Sequence, residues 1–175
     1  MSLIARPLSD EYGPFYETYL QHVPAGTDVV AMLTEQATSM ARLVAALTPE
    51  QAEHRYAPGK WSVKQVLAHL ADTERVFVFR ALWFARGETA ALPGMDENLW
   101  GETAGADARP VADIGRELAG LRQLSLGLFA SLPPEAWGRH GVASERVLSV
   151  RAVPWIVAGH ERHHLEILRE RYGVG

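Results

Sequence analysis

At 175 residues, with 47% of them apolar and a formal net charge of −4, the chain has the size of one domain able to bury a core. Its balance of 17 Lys+Arg against 21 Asp+Glu leaves no electrostatic footprint for a nucleic-acid partner. Seven histidines and no cysteine exclude disulfides, thiolate metal sites, iron–sulfur clusters and a cysteine nucleophile together, so any metal must sit on nitrogen and oxygen.

Uncharged stretches fall far short of the roughly 18 apolar residues of a spanning helix. Asp10 and Glu11 stand where a signal peptide would be apolar. The expectation is a soluble, cytoplasmic protein with no membrane partner.

Apolar positions recur at helical rather than alternating spacing, which predicts an all-α domain over residues 1–175 with no strand. Tyr12 to Leu20 carries Tyr12, Phe15, Tyr16 and Tyr19 at helical spacing and predicts a separate turn or two of helix. A first long helix is expected from about Thr27 to Leu47. Its stripe is Val30, Leu33, Ala37, Met40, Ala41, Val44 and Leu47, and Thr48-Pro49 is its stop.

The second helix has the clearest start: Ser62 and Gln65 spell a capping box, and Trp61 can staple onto Val66. It runs to Arg86, before Gly87. Its inward stripe, Val66, His69, Leu70, Thr73, Phe77, Arg80/Ala81 and Phe84, puts a histidine in an apolar seam. Asp72 and Glu74 point away from that seam and read as salt-bridging residues. Arg80 shares the face of His69, where it could meet an anionic substrate or pair with a core carboxylate.

Residues 87–109 form a connection longer than the ~12 to 15 residues of ordinary loops, which predicts a role for it. The third helix begins near Pro110 and carries Val111, Ile114, Leu118, Leu121, Leu124/Ser125 and Leu128 to a stop at Pro133-Pro134. The fourth runs from Ser149 to Tyr172, with Pro154 in its second turn bending it or delaying its regular start. Four long amphipathic helices predict a four-helix bundle, and the long second connection lets helices two and three run in the same direction.

Chemistry concentrates in His160-Glu161-Arg162-His163-His164. At about 100° per residue, His160 and His164 stack one turn apart and continue the buried stripe of Val153 and Val157. An unpartnered buried polar ring costs ~1–3 kcal/mol, which a divalent metal would relieve. His69 would supply the third ligand if its helix is a neighbour, giving a predicted metal site of His69, His160 and His164 with open positions. His163 is expected at the rim, and His22, His54 and His140 on exposed loops or ends. Asp96, Glu97 and Asn98 of the long connection could present a carboxylate to the metal, or simply cap a short helix.

The same run matches H-E-x-x-H, in which Glu161 would be a protease's general base. Ile167 and Glu170, however, stand where a metzincin has glycine and histidine, and no strand is expected to hold a peptide. Glu161-x-x-His164 is also half of a di-iron motif whose second half is absent.

Four stretches together resemble the DinB-like (DinB/YfiT) family of metalloenzymes over most of the chain: Gly59-Lys60-Trp61-Ser62-Val63, Leu67 to Arg75, Leu92 to Asn98, and Ala158 to His164. The resemblance implies up-down-down-up helix order, often a homodimer, and a divalent metal on one histidine of the second helix and two of the fourth. Those positions fall on His69, His160 and His164. Similar proteins include transferases and isomerases that use bacillithiol, mycothiol or glutathione.

The expected function is therefore a metal-dependent enzyme, transferase- or hydrolase-like, that activates water or a low-molecular-weight thiol for a small-molecule substrate. Glu161, His163 and Asp96 are its candidate catalytic groups. Zinc or nickel is the expected metal, and iron, cobalt or copper would also suit three imidazoles. The alternative is a metal- or ligand-binding bundle without turnover.

Overall fold

The computed structural model describes residues 4–175. Near its start a 3-10 turn at Pro14–Tyr16 runs into α1 (Glu17–Leu20), the short aromatic segment expected from the spacing. The first long helix, α2 (Val29–Ala46), is capped by Asp28, whose side chain accepts from the backbone N–H groups of Val30 and Ala31. Thr48-Pro49 ends α2 and also starts α3 (Pro49–Glu53): Thr48 and Gln51 form a capping box, and Pro49 sits where a missing N–H does no harm.

The second long helix, α4 (Val63–Ala85), begins at the Ser62–Gln65 capping box. Within residues 87–109 lie α5 (Glu97–Thr103), capped by Asp96, and a 3-10 turn at Ala106–Ala108. Then come α6 (Val111–Ser131), the strands β1 (His140–Ala143) and β2 (Arg146–Ser149), and α7 (Ala152–Tyr172). Because α7 starts at Ala152, Pro154 falls in its first turn, where it removes no helical hydrogen bond.

The hairpin corrects the expectation that no strand would form. Its two-residue turn, Ser144-Glu145, places both residues at positive φ, 53° and 62°. Such turns are normally signalled by Asn-Gly or Asp-Gly, and Ser-Glu carries no such signal. The hairpin holds Leu92 at the start of the long connection, which bonds to Val142 and Ser144 through the backbone.

Side-chain partners fix the helix directions. Late α2 meets early α6, where Gly115 faces Val44, while Leu33 near the start of α2 accepts from Arg122, so the two are antiparallel. Early α4 shares one apolar cluster with Ile114 and Leu118, Glu74 in its middle bonds Arg122, and Phe84 shares the other cluster with Phe129, so α4 and α6 run parallel. The Tyr172 hydroxyl reaches the Trp61 carbonyl, making α7 antiparallel to α4. The order is the expected up-down-down-up four-helix bundle of an all-α fold.

Apolar packing falls into two clusters. One surrounds Leu20, Phe84, Phe129 and Trp155, and the other Leu67, Ile114 and Leu168. Between them every long helix contributes buried polar groups: Gln36 from α2, His69, Thr73 and Glu74 from α4, Arg122 and Ser125 from α6, His160 and Glu161 from α7. Two stripes need correction here. Glu74 is buried rather than turned away, and the seam of α6 passes through Arg122, Ser125 and Phe129 while Leu124 is 73% exposed. Among the described residues no helix is long and apolar enough to cross a membrane.

Candidate metal centre

His69 lies on the second turn of α4, fixed by the capping box upstream of it, and His160 and His164 lie one turn apart on α7. Each offers one ring nitrogen, and the three nitrogens lie within 4.8 Å of one another. His69 and His160 approach most closely, Nε2 to Nε2 at 3.2 Å. Two nitrogens each ~2.0–2.1 Å from one tetrahedral ion would stand about 3.3 Å apart, so the spacing fits a shared metal without rearrangement of that pair. Thr73 Oγ1 lies 3.4 Å from the other nitrogen of His69, Nδ1, and leaves Nε2 as the nitrogen that faces His160.

Burial sets the protonation state. It pulls His69 down to about 4 and His164 to about 3, the latter with help from His69 and His163. His160 is pushed well below its ordinary value by burial and by the other imidazoles. At neutral pH the trio is uncharged, with lone pairs free to bind a cation. His69, His160 and His164 could therefore hold a divalent ion.

Aromatic rings wall the trio. Tyr19 meets His160 edge-on with centroids 5.0 Å apart, and Trp61 lies 5.0 Å from His69. A cavity of about 350 Å³ opens on His69 and His160, with Tyr19, Thr73, Phe77 and Arg80 among its walls. A second, of about 270 Å³, opens on His164 beside Trp61 and Tyr172. Glu97 of α5 borders both.

The other candidates are spread around the trio. Asp96 lines the larger cavity, and its Oδ1 caps α5 by accepting from the N–H groups of Asn98 and Leu99. His163 is half-buried, with its ring 5.2 Å from His164 and 5.4 Å from His22. Burial lowers its pKa, as does His22. Glu161 turns toward α6, accepting from Arg122 Nη2 at 2.7 Å, while its Oε1 has no hydrogen-bond partner among the described residues. Burial raises the pKa of Glu161 against the pull of Arg122. His54 and His140 are exposed as expected, and His22 is half-buried 3.3 Å from Glu166.

Sequence reasoning missed the walls. Tyr19 was visible only as part of an aromatic segment, and Trp61 only as a staple for Val66. No local spacing says which helix such a ring will cover.

The family model of the DinB superfamily matches residues 32–168. A Geobacillus thermodenitrificans protein named "Putative metal-dependent hydrolase" is 26% identical over 149 residues, covering 82% of this chain and 84% of its own. A Geobacillus kaustophilus protein of the same description is 30% identical over 137 residues, covering 74% and 76%. Among solved structures, YfiT from Bacillus subtilis, described as having an unusual four-helix bundle topology, superposes with a TM-score of 0.74 at 21% identity. It covers 87% of this chain and 94% of that one. A mycothiol-dependent maleylpyruvate isomerase superposes with a TM-score of 0.67 at 14% identity, covering 84% of this chain and 60% of its own.

Proposed function

Since the chain belongs to the DinB superfamily, we propose that it is a metal-dependent enzyme holding one divalent ion, zinc or nickel, on His69, His160 and His164. The observation that carries this reading is the convergence of three uncharged, mostly buried imidazoles at the wall of a cavity. When bound, such an ion polarises an acceptor and lowers the pKa of a small nucleophile, water or a low-molecular-weight thiol. The names of the relatives support water. The fold shared with a mycothiol-dependent isomerase and the lack of any cysteine in this chain support a thiol supplied from solution.

The protein's own groups prepare the site. Tyr19 and Trp61 keep bulk water from the imidazole faces, which strengthens every electrostatic interaction inside. The Tyr19 hydroxyl, pushed up to about 12 by burial and by Glu97, remains a neutral donor on the cavity wall. Of the three candidate catalytic groups, Asp96 is the one that lines the cavity, which supports it as the group that exchanges a proton with a bound substrate.

Metal analysis of the purified protein tests the reading. We expect about one equivalent of divalent metal in the wild type and its loss from His69→Ala and His160→Ala. A metal-poor wild type, or unchanged metal in both variants, overturns the site. A screen of the loaded protein for ester or amide hydrolysis and for conjugation of electrophiles to small thiols then separates an enzyme from a bundle that only binds.

A further inference from the structure

Three cations are buried among the described residues: Lys64, Arg80 and Arg122. Lys64 reaches Glu53, and Arg122 takes both Glu74 and Glu161. Arg80, 4% exposed, has no acidic partner among the described residues. Its Nη2 donates to the Pro93 carbonyl at 3.0 Å and to Ser144 Oγ at 2.9 Å. The guanidinium lies over the Phe77 ring, 5.4 Å from its centroid, with Tyr16 beside it. Neutral neighbours position a buried cation without compensating its charge, and burial accordingly lowers its pKa.

Arg80 is also a wall of the cavity that opens on His69 and His160. His69, Thr73, Phe77 and Arg80 follow one stripe of α4 and form one side of that cavity. Eleven residues rise about 16 Å along a helix, and the longer Arg80 side chain leans further back toward the helix N-terminus than His69 does, so guanidinium and imidazole nitrogens stand on the order of 10–15 Å apart. The charged groups sharing the cavity are accounted for. Asp96 caps α5, Glu97 acts on Tyr19 at the histidine end, and Arg146 is exposed and lies over Phe15.

Resting on the metal site proposed above, we propose that Arg80 is a specificity-determining residue. It receives a carboxylate at the far end of an elongated organic substrate whose reacting end meets the histidine trio. Phe77 and Tyr16 flank the apolar middle of such a molecule. The planar fork of Arg80 suits a carboxylate, and Ser144 and Pro93 hold it in place.

The test is calorimetric binding of two hydroxamates to the zinc-loaded full-length protein. Both carry a polymethylene chain of the same length, about six carbons, one ending in carboxylate and the other in neutral carboxamide. We expect the wild type to prefer the carboxylate probe by about tenfold or more. Arg80→Gln should lose that preference while binding the carboxamide probe as before, Arg80→Lys should keep part of it, and Arg146→Gln should keep all of it. Equal affinities in the wild type, or a preference that survives Arg80→Gln, overturns the subsite and leaves the metal site standing. Failure of both probes to bind strikes the metal reading, and the subsite falls with it. Should Arg80→Gln not fold, the wild type and Arg146→Gln decide: a preference present in both supports Arg80, and its absence from either overturns it.

Discussion

Gly159 sits immediately before His160, where α1 crosses α7. A Cβ at this position would stand 2.1 Å from the Tyr19 carbonyl oxygen, inside contact distance of backbone that cannot yield cheaply. Glycine within a helix ordinarily costs ~0.5–1 kcal/mol relative to alanine. Here the close approach outweighs that cost. Gly159→Ala should destabilise the protein by about 1–3 kcal/mol in urea denaturation and, by displacing the Tyr19 ring from His160, weaken metal retention. Gly127 of α6 is the control: it is exposed, with nothing within 4 Å of an added Cβ, so Gly127→Ala should be neutral or stabilising by about 0.5–1 kcal/mol. A Gly159→Ala midpoint equal to wild type would contradict the account of that crossing.

Among the elements, the joint between the helices is Arg122. Its Nε and Nη2 bond the two oxygens of Glu74 on α4 at 2.9 and 3.0 Å, Nη2 reaches Glu161 on α7, and Nη1 donates to the Leu33 carbonyl of α2. Burial opposes its charge, yet the Glu74 and Glu161 carboxylates more than offset this and hold its pKa above the ordinary value. Removing it strands two carboxylates in the interior. Arg122→Met should cost about 3–5 kcal/mol at neutral pH, and a loss below ~1 kcal/mol in chemical denaturation would show that the cluster is better solvated than its burial implies. A helical wheel cannot reveal this cluster, because a lone Glu74 or Arg122 reads as a solvent-facing residue and only pairing across helices makes it internal. The histidines were legible for the opposite reason: His160 and His164 repeat at i, i+4 inside an apolar stripe, and His69 breaks another. The four long helices were readable from their stripes and caps. The Ser144-Glu145 hairpin was not, since its conformation is imposed by packing rather than by turn-forming residues.

For the molecule as a whole, the polar layer between two apolar cores links stability to pH. In the metal-free protein His69 and His164 titrate near 4 and 3 rather than near 6.5, so between those values the unfolded chain holds more protons than the folded one. Their contribution is fully present above about 6.5 and is lost as pH falls, by up to ~1.4 kcal/mol per pH unit for each group. Glu161, whose pKa burial raises, works in the other direction and partly offsets this at the acid end. The melting temperature of chelator-treated protein should therefore fall between pH 7 and pH 5, and a flat profile would refute the burial of the trio. Adding zinc at pH 7 should raise it, since only the folded form gathers three imidazoles around one ion. The parallel course of α4 and α6 has a last consequence. Neighbouring helices that run the same way need a return strap along the bundle, and here that strap passes the cavity, with Gly94 to Glu97 on its wall and α5 tied down through the Gln65–Gly101 bond. A lineage could exchange that strap for another, and so its choice of substrate, while the helices and the histidines they carry stayed as they are.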